Sequence, residues 1–465
     1  MSKQEGTVVI VGAGLAGLYA AQLLSSVVPR VVVVEASGEV GGRVKEIGGL
    51  VPWPLQLGPE FIHGSDNSVL MRMINKYGWG TKELEWPDRY YFADDKTCCG
   101  GENETEDVAW VHDFFDGILE AEGAEGESVR DVLVRSGATE RQIEIAEVCY
   151  ANDFGASLKR MGLPELKQEK LRWNYGEKYL LLDRPLSRLV ERLAAGTDVR
   201  LGWEARAIRY EASVEAGANL APGAAGTCGG PGRRCQVVDR EGRSIDCDAV
   251  VVTVPHRILQ DGDIDFEPPL PPDKLGAISR VSMSTAVKVF LIFRHRFWPE
   301  SFWDACCPFG FLPEVWATEY DSQGRAETGA AGGAAIVGFA CAERAERIAA
   351  MPEEEVVRAS LAQLDEMFAS RVDPKPATSA FESCHVKDWS KEPHIRGAYT
   401  FPGRGAREGD RGLLGRPLGS LFFAGEATHE GVNPCMQGAL ETGERAAREV
   451  LRTFRVRAER HQTKL

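Results

Sequence analysis

Blocks of apolar residues near the start of the chain predict a strand, a helix and a second strand. The run Val-Val-Ile-Val at residues 8–11 leads into Gly-Ala-Gly-Leu-Ala-Gly at 12–17, and four valines at 31–34 end on Glu35. Uninterrupted apolar runs of this length are typical of strands that are buried on both faces of a parallel sheet. The pattern therefore predicts a βαβ unit with a glycine turn after its first strand.

The glycines of this turn and the acid after the second strand predict a dinucleotide site. Gly12 permits a tight turn, Gly14 lets the backbone approach a pyrophosphate, and Gly17 lets the helix pack closely on the sheet. The first helical turn offers free N–H groups and partial positive charge to the diphosphate. Glu35 is placed to accept hydrogen bonds from the hydroxyls of an unphosphorylated ribose. An ordinary βαβ unit would not explain why an acid closes an apolar strand.

A second glycine loop indicates which dinucleotide binds. Gly41-Gly42-Arg43 follows Glu35 in a loop that Gly38 opens. Arg43 can form charge-assisted hydrogen bonds to the diphosphate or to groups near a flavin. A surface turn with a solvated arginine is the alternative for this loop taken by itself. Together, the two glycine motifs favour FAD over NAD.

The rest of the pattern predicts an α/β protein in which two kinds of domain interleave. Further strands are expected at 199–210, 249–255, 286–293 and 421–425, helices at 352–368 and 434–454, and a mostly helical stretch at 106–195. Gly- and Ala-rich segments at 211–235 and 324–333 predict flexible insertions. We therefore expect a discontinuous Rossmann-like FAD-binding domain and an α+β substrate-binding domain. The expected boundaries are 1–84, 196–262 and 396–455 for the first domain, 85–195 and 263–395 for the second, and 456–465 for a tail.

Charge and length narrow the possible partners. The chain has 465 residues, enough for two domains, and a net charge of −15, which disfavours nucleic acid and favours a cationic substrate. No apolar run reaches the roughly 18 residues of a membrane span, so no membrane partner is expected. The first strand follows Met1 almost at once, so no signal peptide is expected.

Cysteine usage and the last three residues bear on the compartment. The 11 cysteines are scattered without a CxxC pair, which predicts free thiols in a reducing compartment and no metal site. Thr463-Lys464-Leu465 is similar to the Ser-Lys-Leu peroxisomal address, so a peroxisomal import receptor is an expected partner. A solvated tail is the alternative. The expected location is peroxisomal or cytoplasmic.

The C-terminal segment carries a family resemblance. It reads Phe-Phe-Ala-Gly-Glu-Ala-Thr at 422–428 and Gln-Gly-Ala-Leu-Glu-Thr-Gly-Glu-Arg-Ala-Ala at 437–447. With the two N-terminal glycine motifs, it resembles the flavin-containing amine oxidases, and polyamine oxidases most of all. The resemblance implies that Gly425 and Glu426 lie at the ribityl chain of FAD. It also implies that the helix starting near Met436 points its N–H groups at the pyrimidine edge of the flavin.

The resemblance also implies three residues around the reacting atoms. Lys288 interrupts the apolar run 286–293, and the matching lysine of the family reaches the flavin through a water molecule. Low polarity would lower its pKa and help it handle protons. Trp389 and Tyr399 match the aromatic wall beside the flavin. Ala398 stands where monoamine oxidases carry a cysteine linked to the flavin, so FAD is expected to be bound non-covalently.

A further segment is similar to the stretch that passes under the flavin in polyamine oxidases. It runs from Leu57 to Gly64 and contains Gly58 and Pro59, which are expected to contact FAD. Pro59 replaces the small residue usual in the family. Glu60 and His63 would bind a second, protonated nitrogen of the substrate, or they form a structural pair. Cys435 matches a cage position and would leave a more open channel.

These features predict FAD-dependent oxidation of an amine by hydride transfer to the flavin, most simply of a polyamine such as spermine, spermidine or an acetylated form. Molecular oxygen would accept the electrons, and hydrogen peroxide, an aldehyde and a shorter amine would leave. A monoamine or L-amino-acid oxidase, or a non-catalytic FAD-binding protein, is the alternative. Histone demethylation is disfavoured because neither a long coiled-coil insertion nor a separate helical N-terminal module is apparent in the sequence.

Overall fold

The structure is a computed structural model that describes residues 6–87, 89–100, 105–123, 126–211, 234–318, 333–431 and 435–462, with side chains to residue 455. The predicted insertions fall almost entirely outside these residues, as do Pro434 and the terminal Thr-Lys-Leu. Cys235, at the predicted end of the first insertion, already belongs to a strand.

The described strands and helices alternate along the chain. The strands are β1 (Thr7–Val11), β2 (Arg30–Val34), β3 (Glu46–Ile47), β4 (Leu55–Gln56), β5 (Phe61–His63), β6 (Thr81–Leu84), β7 (Tyr90–Phe92), β8 (Thr97–Cys99), β9 (Tyr179–Leu182), β10 (Asp198–Arg200), β11 (Ala205–Tyr210), β12 (Cys235–Asp239), β13 (Ser244–Cys247), β14 (Ala249–Val252), β15 (Asp265–Glu267), β16 (Ser282–Met283), β17 (Ala286–Phe293), β18 (Asp304–Cys306), β19 (Glu314–Thr318), β20 (Ala334–Cys341), β21 (Phe381–Asp388), β22 (Thr400–Phe401) and β23 (Leu421–Phe423). The helices are α1 (Leu15–Ser25), α2 (Val69–Tyr77), α3 (Glu106–Asp116), α4 (Val129–Arg135), α5 (Glu140–Ala146), α6 (Leu163–Arg172), α7 (Ser187–Ala194), α8 (His256–Gln260), α9 (Pro272–Arg280), α10 (Ala342–Ala350), α11 (Glu353–Phe368), α12 (Pro376–Ala380), α13 (Asp410–Gly415) and α14 (Met436–Gln462).

A five-stranded parallel sheet in the order β10-β2-β1-β14-β23 confirms the predicted Rossmann-like unit. Alternate residues of its central strands face opposite layers, because side chains in a strand alternate between faces. Val8 and Ile10 pack with α1, α7 and α14. Val9 and Val11 pack with the four-stranded sheet β13-β12-β11-β15. Burial on both sides explains why these strands are apolar throughout.

The prediction of one continuous strand at 199–210 was wrong, because this stretch forms two strands that belong to two different sheets. Strand β10 pairs with β2 in the parallel sheet, whereas β11 pairs with β12 and β15. Gly202 lies between them with φ +61°, a left-handed conformation that ends a strand and that glycine adopts without strain. The chain therefore changes layers at Gly202.

A seven-stranded sheet in the order β21-β17-β20-β19-β18-β7-β8 forms the second part of the molecule. Odd-numbered residues of β17, such as Val287 and Val289, pack on α10, α11 and α12. Even-numbered residues, including Lys288, face the opposite side. Helices α3 to α6 pack around the β7 edge, in agreement with the predicted helical stretch. That stretch also contains β9, which pairs with β5 and β6.

The helices within residues 106–195 belong to two different hydrophobic cores. Leu189 and Leu193 of α7 pack with Leu18 of α1, in the core under the parallel sheet. The domain boundaries expected from the sequence remain a prediction. None of the described helices combines membrane-spanning length with the apolar composition that a bilayer core demands.

Candidate active site

A cavity of about 760 Å³ lies where the parallel sheet meets the seven-stranded sheet. Its wall brings together residues from segments that are far apart in sequence. Of the residues predicted to form the site, the wall contains Gly12, Gly14, Glu35, Gly42, Arg43, Gly58, Pro59, Glu60, His63, Lys288, Trp389, Tyr399, Gly425, Glu426, Cys435 and Met436.

Gly17 is the predicted site residue that does not reach the cavity. A Cβ at this position would lie 2.0 Å from the carbonyl oxygen of Gly12, so the close packing of α1 on β1 requires glycine there. Gly14 differs, since a Cβ built on it would meet no atom within 4 Å. The space above Gly14 belongs to the cavity, at the N-terminus of α1 where N–H groups are free.

The ribose-binding candidate Glu35 is buried at the same end of the cavity. Its Oε2 accepts a hydrogen bond from Ala13 N at 2.8 Å, and its Oε1 accepts one from Ser37 N at 2.9 Å. A carboxylate offers about four acceptor positions, so each oxygen retains capacity for a ligand hydroxyl. Gly42, at φ +60°, brings its backbone against Gly14.

Arg43 and Glu426 join three distant segments at the middle of the cavity. Arg43 Nη1 donates to Glu426 Oε1 and to the carbonyl oxygen of Ala398, both at 2.9 Å. Thr400 Oγ1 donates to the other oxygen of Glu426 at 2.5 Å. Burial would raise the pKa of Glu426, but the charge of Arg43 and the Thr400 hydrogen bond outweigh it and lower this pKa. Glu426 is therefore ionised and fixed in place.

Lys288 points from β17 across the cavity to the segment after β4. Its Nζ donates to the carbonyl oxygens of Gly58 at 2.7 Å and Gln56 at 3.1 Å. Glu60 Oε2 lies 3.5 Å from the same nitrogen and also accepts a hydrogen bond from Trp316 Nε1 at 3.0 Å. Burial lowers the pKa of Lys288 in spite of the nearby Glu60.

The two predicted aromatic residues are held by main-chain carbonyl groups. Trp389 Nε1 donates to Leu57 O at 3.0 Å, and Tyr399 donates through its hydroxyl to Asp153 O at 3.2 Å. Gly155 lies against the Tyr399 ring, because a Cβ there would come within 2.3 Å of Cε2. Both rings are therefore fixed in the cavity wall.

The start of α14 closes another side of the cavity. Met436 begins the helix, and Gln437 Nε2 donates to His63 O at 2.7 Å, which ties the helix to β5. Burial raises the pKa of Cys435 well above its ordinary value, so this thiol is neutral. The His63 ring lies edge-on to Tyr179, with their centroids 4.8 Å apart.

Sequence reasoning missed several acids that line the cavity, among them Glu314 and Asp153. Glu314 accepts hydrogen bonds from Trp86 Nε1 at 3.1 Å and Asn152 Nδ2 at 3.3 Å. Burial, followed by repulsion from Asp153, raises its pKa to about 8. Burial also raises the pKa of Asp153. Glu314 is the first residue of β19 and follows Pro313, so it does not interrupt an apolar run as Lys288 does, and no comparable signal marked it in the sequence.

The shape and donors of the cavity fit FAD. Open space lies above Gly14 and above Gly425, where an added Cβ would meet nothing within 4 Å. Free helix N–H groups suit a diphosphate, and Glu35 suits ribose hydroxyls. Among the residues that the structure describes, no three His, Cys, Asp or Glu side chains gather as metal ligands.

Comparisons with known proteins agree with this arrangement. Residues 146–451 match the model of the flavin containing amine oxidoreductase family, and residues 10–77 match an NAD(P)-binding Rossmann-like domain. The chain is 27% identical to mouse lysine-specific histone demethylase 1B, over 96% of this chain and 52% of that protein. It is 26% identical to polyamine oxidase 3 of Oryza sativa subsp. japonica, over 96% of this chain and 90% of that protein. The chain thus spans about half the length of the demethylase.

Solved structures show the same fold. Wild-type putrescine oxidase bound to putrescine has a TM-score of 0.76 at 20% identity, covering 96% of this chain and 99% of that one. Cyclohexylamine oxidase from Brevibacterium oxydans IH-35A has a TM-score of 0.76 at 19% identity, covering 96% and 98%.

Proposed function

The chain belongs to the flavin containing amine oxidoreductase family, and we propose that it is an FAD-dependent amine oxidase that acts on a polyamine such as spermine, spermidine or an acetylated form. The observation that supports this most is the single cavity, which joins the glycine turn of β1 to the buried Lys288 and the aromatic rings of Trp389 and Tyr399. When bound, FAD would supply the oxidising power: it would accept a hydride from the carbon next to the amine nitrogen, and oxygen would take up the electrons and leave as hydrogen peroxide.

The protein residues position the amine and handle protons. Trp389 and Tyr399 are fixed by their hydrogen bonds and offer flat apolar surfaces to a neutral amine. Lys288 holds a proton on Nζ that burial makes easier to release. The N-terminus of α14 at Met436 adds positive potential at the opposite wall, which favours negative charge there.

Cofactor attachment follows from Ala398. Its methyl group lines the cavity and offers no nucleophile for a covalent bond, whereas its carbonyl oxygen is occupied by Arg43. This supports the proposal that FAD is held by non-covalent contacts, and acid precipitation of the protein should then release all of the flavin into solution.

Anaerobic mixing of the purified flavoprotein with spermine or spermidine tests the proposed reaction. Loss of the flavin absorbance band, followed by peroxide formation when oxygen is admitted, is the expected result. A yellow protein whose band is unchanged by polyamines, but bleached by a monoamine or an L-amino acid, would replace the substrate with one of those classes. A band that no amine bleaches would indicate a non-catalytic FAD-binding protein.

A methylated lysine side chain is the second candidate substrate. The similarity to histone demethylases over 96% of this chain favours it. A peptide with one dimethyl-lysine belongs in the same substrate series, and formaldehyde release would distinguish it from polyamine oxidation. Faster bleaching by this peptide than by any polyamine would overturn the polyamine assignment.

A further inference from the structure

A group of thiol, phenol and imidazole side chains lies at the cavity wall, and the proposed reaction does not use it. Cys149 and Tyr150 belong to the helical turn 147–151, and both line the cavity. Tyr90 and Cys306 lie behind them, in the core that β7 and β18 form with helices α3 to α6. His112 of α3 is half-buried and completes the group. We call these five residues the thiol cluster.

The hydrogen bonds of the thiol cluster run in one direction. Cys149 Sγ donates to Tyr90 Oη at 3.4 Å, so the Tyr90 hydroxyl keeps its own proton for His112 Nε2, which lies 2.8 Å away. These contacts assign His112 Nε2 as the acceptor and Nδ1 as the donor to Tyr150 Oη, at 2.8 Å. A proton can thus pass from Cys149 to Tyr90 while the proton of Tyr90 passes to His112. This transfer leaves a thiolate at Cys149, which is the nucleophilic form of cysteine.

A second thiol lies against Cys149. Cys306 is fully buried, and a hydrogen bond with Cys149, followed by burial, holds its pKa well above the ordinary value, so it keeps its proton. Cys306 is also the direct neighbour of Tyr90 across β18 and β7, so both cysteines lie beside the same tyrosine. Two thiols in hydrogen-bond contact need only a small approach of their sulfur atoms to form a disulfide.

The strand register places this pair of thiols relative to Lys288. One row of directly opposed residues crosses the seven-stranded sheet through Lys288 on β17, Phe339 on β20, Glu314 on β19 and Cys306 on β18. Three strand spacings separate the backbones of Lys288 and Cys306, roughly 14 Å. Cys149 lines the cavity, whereas Cys306 does not. A small molecule released near Lys288 therefore reaches Cys149 first.

We propose that hydrogen peroxide oxidises Cys149 and that Cys306 then forms a disulfide with it in the wall of the cavity. The Cys149 thiolate attacks one peroxide oxygen and the O–O bond breaks, which gives a sulfenic acid and a hydroxide that leaves as water with the proton held by His112. Cys306 attacks the sulfenic sulfur, and its proton leaves with the hydroxyl group as a second water. Two thiols are oxidised, and one peroxide is reduced to two waters. Only the source of the peroxide rests on the proposed amine oxidase function.

The disulfide acts on the cavity through the turn that carries Cys149. The next residues of the chain hold other parts of the wall, since Asn152 donates to Glu314 and the carbonyl oxygen of Asp153 accepts from Tyr399. Movement of Cys149 toward β18 displaces these contacts. We therefore expect the oxidised enzyme to turn over amine roughly 10-fold more slowly, with recovery on reduction, so that the product limits its own formation.

Peroxide treatment of the FAD-loaded protein tests the disulfide without any amine. The reduced protein is exposed to hydrogen peroxide, its remaining thiols are blocked with N-ethylmaleimide, and its peptides are identified by mass spectrometry without reductant. The expected result is a peptide pair linked through Cys149 and Cys306 that dithiothreitol separates. In Cys306→Ala, dimedone should trap Cys149 as its sulfenic acid. Tyr90→Phe should slow the oxidation at least roughly 10-fold, because the path to His112 is interrupted.

Cys235 and Cys247 provide a matched control within the same molecule. They are directly opposed on β12 and β13, both are fully buried, and they are hydrogen-bonded to each other. Neither of them lines the cavity. The link between Cys149 and Cys306 should form at least roughly 10-fold faster than a link within this pair. Equal rates would mean that pairing alone explains the oxidation, and the proposal would be wrong.

Other outcomes also overturn the proposal. One is the absence of the linked peptides in wild type after peroxide has oxidised the exposed Cys98. Another is a wild-type Cys149 that proceeds to the sulfonic acid without a link. Because both results come from wild type, they do not depend on the folding of a variant. Flavin content and melting temperature show whether Cys306→Ala and Tyr90→Phe are folded.

Turnover of an amine under oxygen, with catalase in the solution, tests whether peroxide made in the cavity is sufficient. The link between Cys149 and Cys306 should form in spite of the catalase. Its absence while amine is being oxidised would contradict the role of the pair as a sensor of product. A link that forms with added peroxide, in a yellow protein that oxidises no amine, would instead contradict the proposed function and leave the disulfide standing.

Discussion

Glu314 links the electrostatics of the cavity wall to the stability of the fold. Burial and Asp153 raise its pKa from 4.5 to about 8, with Lys288 acting in the opposite direction. Between these two pH values the unfolded chain has released a proton that the folded chain still holds, so this residue makes folding stability fall as pH rises. Glu314→Gln should remove that trend and gain up to about 4 kcal/mol over wild type between pH 4.5 and 8.5. Urea unfolding of wild type and Glu314→Gln at a series of pH values measures this difference in folding stability.

Glu392 provides a control, because its pKa is shifted in the opposite direction to that of Glu314. It also lines the cavity, but it is paired with Lys387 and Lys45, and their hydrogen bonds and charges outweigh burial and lower its pKa. Its ionised form therefore stabilises the folded chain at neutral pH, and Glu392→Gln should lose stability there. If both variants respond to pH alike, the assignment of the trend to Glu314 is wrong.

Lys288 is the residue whose removal should affect the reaction most directly. Lys288→Met deletes the Nζ that donates to Gly58 O and Gln56 O, and that handles protons near the reacting atoms in the function proposed above. We expect turnover to fall on the order of 100-fold, the usual scale for losing an acid–base group. Stopped-flow measurement of anaerobic flavin bleaching and of its return under oxygen shows which half of the cycle slows.

Lys274→Met is the matched control for that variant. Lys274 is fully buried, and its Nζ donates to the carbonyl oxygens of Leu413 and Leu414, outside the cavity. This variant is expected to alter stability but to keep turnover within about 3-fold. Equal rate losses in Lys274→Met and Lys288→Met would mean that burial, rather than position, explains the effect.

Single residues differ in how far the sequence could reveal them. Lys288 was noticeable because a charge interrupts a long apolar run, and its partners Gly58 and Glu60 lay in a recognisable segment. Glu314 follows a proline and starts a five-residue strand, so nothing separated it from a loop acid. Asp153 belongs to no motif that the sequence analysis identified. Their shared environment arises only when β19 and the end of the 147–151 helical turn come together.

At the scale of elements, the first turn of α1 makes a prediction that separates folding from cofactor binding. In Gly17→Ala the new Cβ would lie 2.0 Å from Gly12 O, so α1 must move off β1. In Gly14→Ala it enters open space, and the residue has φ −78°, which alanine tolerates. Gly17→Ala should therefore lose at least about 2 kcal/mol of stability, whereas Gly14→Ala should keep its stability without FAD but bind FAD much more weakly.

Differential scanning calorimetry of the FAD-free proteins and a flavin fluorescence titration distinguish the two variants. The pair is matched, because each substitution adds one methyl group within the same turn. Weak FAD binding with normal stability in Gly17→Ala, or the reverse pattern in Gly14→Ala, would contradict the assignment of the open space to the cofactor.

Strands and helices could be predicted where a local pattern of apolar residues or a helix start marks them. Strands β1, β2, β14, β17 and β23 and helices α1, α11 and α14 were all expected, because long apolar runs or clear helix starts mark them. The pairing of β17 with β20 and β21 was not, since register between distant strands depends on packing that no local pattern encodes. The division at Gly202 was missed because one glycine in a strand pattern also fits a bulge.

At the scale of the whole molecule, the cavity is the place where two cores depend on each other. Its wall takes Gly14 and Glu426 from the side of the parallel sheet and Lys288 and Glu314 from the seven-stranded sheet. Because these groups come from segments separated by hundreds of residues, local sequence patterns indicated the cofactor but not the positions of Glu314 and Asp153 in the cavity wall. A ligand bound between the two cores must stabilise both together.

Removal of FAD is therefore expected to weaken the whole fold rather than one layer. A ligand present at a thousand times its Kd adds about 4 kcal/mol to folding stability, which for a chain of this size raises the melting temperature by roughly 5 °C. Peptide-level hydrogen exchange should show protection lost in both β1 and β17 when FAD is removed, since each contributes to the cavity wall or leads into it. Gly14→Ala should lose this coupling. Glu147→Gln should retain it, because Glu147 accepts a hydrogen bond from Leu158 N and does not line the cavity. Protection that changes around β1 alone would mean that FAD contacts only the parallel-sheet side, and the joint site argued from Lys288 would then be wrong.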